Sequence, residues 1–275
     1  MIDLHTTLGD GAPVFGIAIC SSPAAAELAG RRGIGCVLID VQHGGSSSYA
    51  TQLEALVRGA QVGNAVPLVR ISENRASEIN KALNAGAAGI FVPRVESAEE
   101  AERAVRAGRY PPDGIRGAAP IVRAARYGAT DWRTYHRESK KPIIPIIETK
   151  LGIDRADEIA GAPGVDGVCL DAFAAAVDLG VEPVSATEGA VGGVGVARAA
   201  EEVARACRVH GVIAACVIPD LQSVATWIEL GYRLLVVSSD LTLFPGAVRV
   251  VKAMADRVPQ SLDGTVVAST IEVGS

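Results

Sequence analysis

At 275 residues and 49% hydrophobic content the chain can bury one large core, and a single domain of (β/α) barrel size is the default. A net charge of -5 leaves no basic face for nucleic acid. Five cysteines (Cys20, Cys36, Cys169, Cys207 and Cys216) form an odd set without paired spacing, which points to reduced thiols and a cytoplasmic protein. The opening MIDLHTTLGDG has neither the basic nor the apolar region of a secretory signal, and no apolar run nears the ~20 residues that span a bilayer.

In chain order, Val14–Ile19 reads as a strand leaving at Cys20-Ser21-Ser22, and Ser22-Pro23 opens a helix to Arg31. Cys36–Ile39 is a second strand, exiting at Asp40-Val41-Gln42-His43 before Gly44-Gly45 and a serine run; Tyr49–Gln61 is helical. Val66–Val69 ends on Arg70, with a helix over Ala76–Asn84, and Gly89–Val92 exits at Pro93-Arg94 before a helix start at Ser97. From Arg109 to Lys141 the rhythm breaks into turn chemistry and a short helix from Trp132, and so long a loop is usually functional.

Ile143–Ile147 is a strand buried on both faces, closed by Glu148. A helix over Gly152–Ile159 and a strand from Gly167 to Leu170, ending on Asp171, complete a βαβ unit with one carboxylate at each strand exit. Ala197–Val209 is a helix, Ile213–Val217 and Leu234–Val237 are strands seven and eight with a helix over Leu221–Leu230 between them, and Phe244–Arg257 is the last helix. Eight alternations predict an α/β fold of the (β/α)8 TIM-barrel class over residues 1–258, with 259–275 a polar tail, peripheral or in contact with another subunit.

In such a barrel every strand exit faces one mouth, which gathers Ser21, Asp40, Gln42, His43, Arg70, Arg94, Glu148, Asp171, Ser238, Ser239 and Asp240. Arg70 suits a small carboxylate or an enolate oxygen. Asp40, three residues before His43, could orient the imidazole and leave its other nitrogen as a general base. Glu148 suits a hard cation that would polarise a ketone. The plainer alternatives are a hydrogen-bonded loop histidine at position 43 and a structural ion pair of Arg70 with Glu148. His5, His136 and His210 read as surface residues, Gly192–Gly195 as a loop leading into a helix, and Trp132 and Trp227 as packing. Arg109, Arg116, Arg123 and Arg126 either line the mouth, lie between subunits or are solvated.

Several segments carry a family likeness: VLIDVQHGG (37–45), the strand ending in Arg70, RYPPDGIRGAAPIVRAARYG (109–128), the unit from Glu148 to Gly180 with its closing DLG, and LVVSSDLTLF (235–244). Over about residues 13–255 the chain resembles the metal-dependent pyruvate aldolases of the HpcH/HpaI and citrate-lyase β-subunit superfamily. The resemblance implies a barrel of the phosphoenolpyruvate/pyruvate type in a homo-oligomer, trimer or hexamer, acting as a carbon–carbon lyase (aldolase or decarboxylase) on a 2-oxo acid through an enolate. It makes His43 the base, Asp40 its partner, Arg70 the cation at the enolate oxygens and Glu148 a ligand of Mg, Mn or Co. Ser21, Gln42 and Arg94 would meet substrate, and the backbone N–H groups of Ala172, Phe173 and Ala174 would receive its carboxylate.

This chain departs from the pattern at four places. The second metal aspartate is Ala174, an expected glutamine is Ile146, a glutamate is Gln42, and an acid donated across a subunit interface is Asn84. Asp171 could replace the missing ligand from three residues upstream with a shifted loop; Asp178 would need its helix to reorient. The loss of negative charge fits a site re-tuned for another substrate or freed from the cation. The alternatives are therefore a metal-independent biosynthetic enzyme or a non-catalytic binding protein on the same barrel.

Overall fold

A computed structural model describes residues 11–44, 49–181, 193–218 and 221–256. Eight parallel strands close in sequence order: β1 (Val14–Ile19), β2 (Cys36–Asp40), β3 (Val66–Arg70), β4 (Gly89–Val92), β5 (Ile143–Ile147), β6 (Gly167–Asp171), β7 (Ile213–Ile218) and β8 (Leu234–Ser239), with β8 paired back to β1. The expected (β/α)8 barrel is the fold.

Strand side chains alternate between two buried layers, because successive residues of a strand point to opposite faces. Cys36 and Leu38, Val66 and Leu68, Ile144 and Ile146, and Cys169 fill the barrel interior. Val37 and Ile39, Val69, Ile143 and Ile147, and Val168 and Leu170 pack outward against the helices. Two residues beyond the last inner apolar position, the same face of each strand carries Asp40, Arg70, Glu148 and Asp171 in turn. The period that builds the core therefore also stacks four charged side chains above it, at the carboxyl ends of the strands.

Helix ends follow capping chemistry. Ser22, Ser97 and Thr149 accept from the N–H groups of Ala25, Glu100 and Gly152, fixing where the helices Pro23–Arg31, Ala98–Gly108 and Lys150–Asp154 begin. The expected single helix over Gly152–Ile159 is two, Lys150–Asp154 and Ala156–Ala160, broken at Arg155. Residues six apart face different sides of a continuous helix, and the break lets both Ile153 and Ile159 be buried. Helix Gly193–His210 starts inside the glycine run that reads as a loop. Helix Val224–Leu230 starts later than its pattern suggests, and helix Asp240–Ala255 starts four residues earlier, with Pro245 inside.

The segment 109–142 joins the end of helix Ala98–Gly108 to the start of β5, so it lies at the amino-terminal face of the barrel, opposite the strand exits. This corrects the mouth-lining option for its arginines. Arg109 bonds Asp166 (3.1 Å) and the Lys141 carbonyl (2.8 Å), and Arg116 lies over the Tyr110 ring in a small satellite core with Tyr135.

The chain divides into compact units at 1–241 and 242–275, and the second is described here only through the end of helix Asp240–Ala255. The expected boundary at 258/259, the tail, His5, the serines 46–48 and Gly192 lie outside the described residues. No described helix is long and apolar enough to cross a membrane.

Candidate active site

Asp40 and Arg70 end neighbouring strands in direct register, which places their side chains side by side on the inner face. Arg70 grips Asp40 with two bonds, Nε to Oδ1 at 2.9 Å and Nη2 to Oδ2 at 2.5 Å, and its Nη1 crosses the lumen to Asp171 Oδ2 at 3.0 Å. All three side chains are buried. Burial alone would lower the Arg70 pKa, but the bond to Asp40 and the charges of Asp40 and Asp171 outweigh it and raise it. Three of the five guanidinium N–H donors are thus taken, leaving one on each terminal nitrogen.

The remaining Asp40 capacity goes to the backbone. Its Oδ1 also accepts from the N–H groups of Gln42 (3.1 Å) and His43 (3.2 Å), bending the chain after β2. The expected bond from Asp40 to the His43 imidazole is absent: Arg70 and two amides hold the carboxylate, and the His43 side chain is exposed on the turn. Gln42 Oε1 is buried without a partner.

Glu148 follows β5 directly and is 7% exposed. Burial, reinforced by Asp171 and opposed by Arg70, Arg94 and a backbone hydrogen bond from Arg94, pushes its carboxyl up to about 7. Its Oε1 has no partner. The Arg94 backbone has positive φ (51°), an uncommon conformation for a residue with a Cβ, and its side chain is exposed. The structural ion pair of Arg70 with Glu148 does not form; Arg70 pairs with the two aspartates instead.

Asp171 has two tasks. Oδ2 meets Arg70, and Oδ1 caps helix Ala172–Asp178 by accepting from Ala174 N–H at 3.1 Å. One of the three N–H groups expected to receive a substrate carboxylate is therefore occupied from within the chain, while Ala172 is buried and Phe173 is exposed. Asp178 accepts from Lys150 N–H at 2.6 Å and points to the loop after β5. Ile146 packs inside the barrel, and Asn84 accepts from Arg116 at 3.0 Å on the opposite face. Ser21 lies at the mouth, where its N–H and hydroxyl bond Asp240, which also accepts from Cys20 N–H. The Cys20 thiol is pushed up to about 12 by burial and by Asp40 and Asp240, so it is no thiolate at neutral pH.

A divalent cation does not fit this donor set as it stands. Glu148 offers one open oxygen, the second ligand position is Ala174, and both Asp171 oxygens are engaged. Among the described residues no three His, Cys, Asp or Glu side chains are grouped to hold a metal ion. The bridge from Arg70 to Asp171 is what sequence reasoning missed. The available signal was the period of two, which puts both side chains on the inner face.

Comparison with known proteins identifies the family. The chain is 31% identical over 238 residues to 2-dehydro-3,6-dideoxy-6-sulfogluconate aldolase of Pseudomonas putida, covering 84% of this chain and 88% of that protein. It is also 31% identical over 234 residues to 5-keto-4-deoxy-D-glucarate aldolase of Escherichia coli O6:H1, covering 82% and 86%. The crystal structure of an HpcH/HpaI aldolase/citrate lyase family protein from Burkholderia cenocepacia J2315 superposes with a TM-score of 0.79 at 28% identity, over 89% of this chain and 95% of that one. A sequence profile of the HpcH/HpaI aldolase/citrate lyase family matches residues 18–247. With the barrel and its charged mouth, these matches make the chain a member of the HpcH/HpaI aldolase/citrate lyase family and a carbon–carbon lyase.

Proposed function

We propose that the mouth makes or breaks a carbon–carbon bond beside a 2-oxo acid through a pyruvate-type enolate held on Arg70, without a metal ligand set. The observation that carries this reading is the buried Arg70, fixed by Asp40 and Asp171 at the strand exits with two N–H donors left over. A guanidinium so fixed stabilises charge that develops on an oxygen at little reorganisation cost. In cleavage of a 4-hydroxy-2-oxo acid the hydroxyl proton passes to a base and the C3–C4 bond breaks. Its electron pair moves into the C2 carbonyl, an aldehyde leaves, and C3 of the enolate regains a proton. His43, exposed at the end of the β2 turn, is the base. Arg70 holds the C2 oxygen, while the exposed Arg94 offers a contact to the rest of the substrate. The names of the two aldolase relatives make deoxy sugar acids the first substrates to try.

The exposed Leu243, Phe244, Val248 and Val251 of helix Asp240–Ala255 support a homo-oligomer, and five free cysteines, four of them buried, support a reducing, cytoplasmic setting. The test is deuterium uptake into the pyruvate methyl group, followed by NMR with chelator and then with added Mg²⁺, Mn²⁺ or Co²⁺. Exchange is expected to survive the chelator and to fall about 100-fold or more in His43→Ala. Exchange only with added metal would return a cation to Glu148 and sink the metal-free part. No exchange at all would sink the enolate.

A further inference from the structure

At the seam where the barrel closes, β8 and β1 do not keep one register. Gly16 pairs with Val236 and Ala18 with Ser239, so two steps along β1 are matched by three along β8. The extra residue is taken up beside Ser238, whose φ of 65° is uncommon for a residue with a Cβ. A bulge of this kind at a barrel rim re-aims a side chain. Without it, the period of two would carry the inner face of β8 from Leu234 and Val236 to positions 238 and 240. With it, Ser239 pairs with Ala18 of the inner layer, and the Asp240 carboxylate meets the residues that leave β1.

Asp240 Oδ1 accepts from Cys20 N–H (3.0 Å) and Leu241 N–H (2.9 Å), and Oδ2 accepts from Ser21 N–H (2.9 Å) and the Ser21 hydroxyl. β1 ends at Ile19, so the carboxylate continues the seam beyond the strand pairing. Hydrogen bonds to an ionised acceptor are among the stronger ones. The segment held in this way stands against the turn after β2. A Cβ at Gly44 would lie 2.2 Å from the Asp40 carbonyl oxygen and 3.6 Å from the Cys20 Cβ, so the turn closes tightly on itself with Cys20 beside it. The charges of Asp40 and Asp240 both act on the Cys20 thiol, as that placement requires. His43 immediately precedes Gly44, with its N–H on Asp40 and its side chain exposed.

We propose that Asp240 is a positioning residue: by holding Cys20 and Ser21 it sets the place of the Asp40–Gly44 turn, and through it the His43 ring. The assignment rests on His43 as the base. A base must lie within hydrogen-bond reach of the proton it moves, and a misplacement of about 1 Å costs on the order of 100-fold in rate. Loss of the clamp therefore acts on proton transfer, while Arg70, held by Asp40 and Asp171, keeps its hold on substrate.

The test combines pyruvate methyl exchange, measured over a range of pyruvate concentrations, with the NMR signal of the His43 ring, assigned by its loss in His43→Ala. Asp240→Ala is expected to lower the exchange kcat about tenfold or more, to keep KM within about threefold, and to shift the ring signal. Asp240→Asn keeps one acceptor oxygen and is expected to recover part of each. A merely structural aspartate would lower the melting temperature and move neither reading. An unchanged kcat, an unmoved ring signal or a loss carried by KM alone would overturn the proposal. If Asp240→Ala does not fold, Asp240→Asn decides by the same readings, with a smaller fall in kcat expected. Absence of exchange in the wild type would sink the enolate and leave the ring signal to decide alone. A shift would then uphold the positioning role and an unmoved signal would overturn it.

Discussion

Asp171 shows how one side chain can hold a site and a helix together. Its carboxylate steadies Arg70 from across the barrel and caps helix Ala172–Asp178. Asp171→Ala should therefore cost about 2 kcal/mol of stability in urea unfolding, mostly the cap, since Asp40 still partners Arg70. Asp171→Asn keeps an acceptor for Ala174 N–H and should recover much of that loss. Equal destabilisation by both would show that the cap contributes little. Glu148 makes a pH prediction. Its folded value near 7 lies above the ordinary 4.5, so the folded state binds the proton more tightly than the unfolded chain does. Its contribution to stability is present in full below about 4.5 and is lost as pH rises through about 7. In a chelator-containing buffer the melting temperature should fall over that window in the wild type, and Glu148→Gln should flatten the fall. Parallel curves would mean that the carboxyl is not held as described.

Among the elements, the closest packing is between helices Pro23–Arg31 and Tyr49–Val62. A Cβ at Gly59 would stand 2.3 Å from the Pro23 carbonyl oxygen, a backbone atom that cannot swing aside. Gly59→Ala should destabilise by about 1–3 kcal/mol through forced separation of the two helices, read as a lower urea midpoint with an unchanged slope. A neutral effect would show that the helices can slide. The strands were legible because apolar runs that end on Asp40, Arg70, Glu148 and Asp171 mark buried parallel strands and their exits. Less legible was the split at Arg155, where burial of Ile153 and Ile159 overrides local helical spacing. Nor did local pattern reveal the face on which Arg116 and Arg123 lie. Arginine spacing within 109–128 is the same on either face, and only the position of the segment between a helix and the next strand decides it.

At the scale of the whole molecule, the two ends of the barrel divide the polar chemistry. The mouth carries Asp40, Glu148 and Asp171 around Arg70, while at the opposite end Arg109 pairs with Asp166 and Arg116 and Arg123 rest on neutral partners. The (β/α)8 order, the two-layer core and the residues at the strand exits were readable along the chain, because each follows from periodicity and from neighbouring residues. What those residues do to one another depends on closure of the barrel. Arg70 and Asp171 lie 101 positions apart, and closure of the sheet is what brings them to 3.0 Å. Once Arg70 takes Asp40, the His43 ring loses the partner that three-residue spacing offered it. Contacts across a closed barrel are set by strand number and register, which local sequence does not encode.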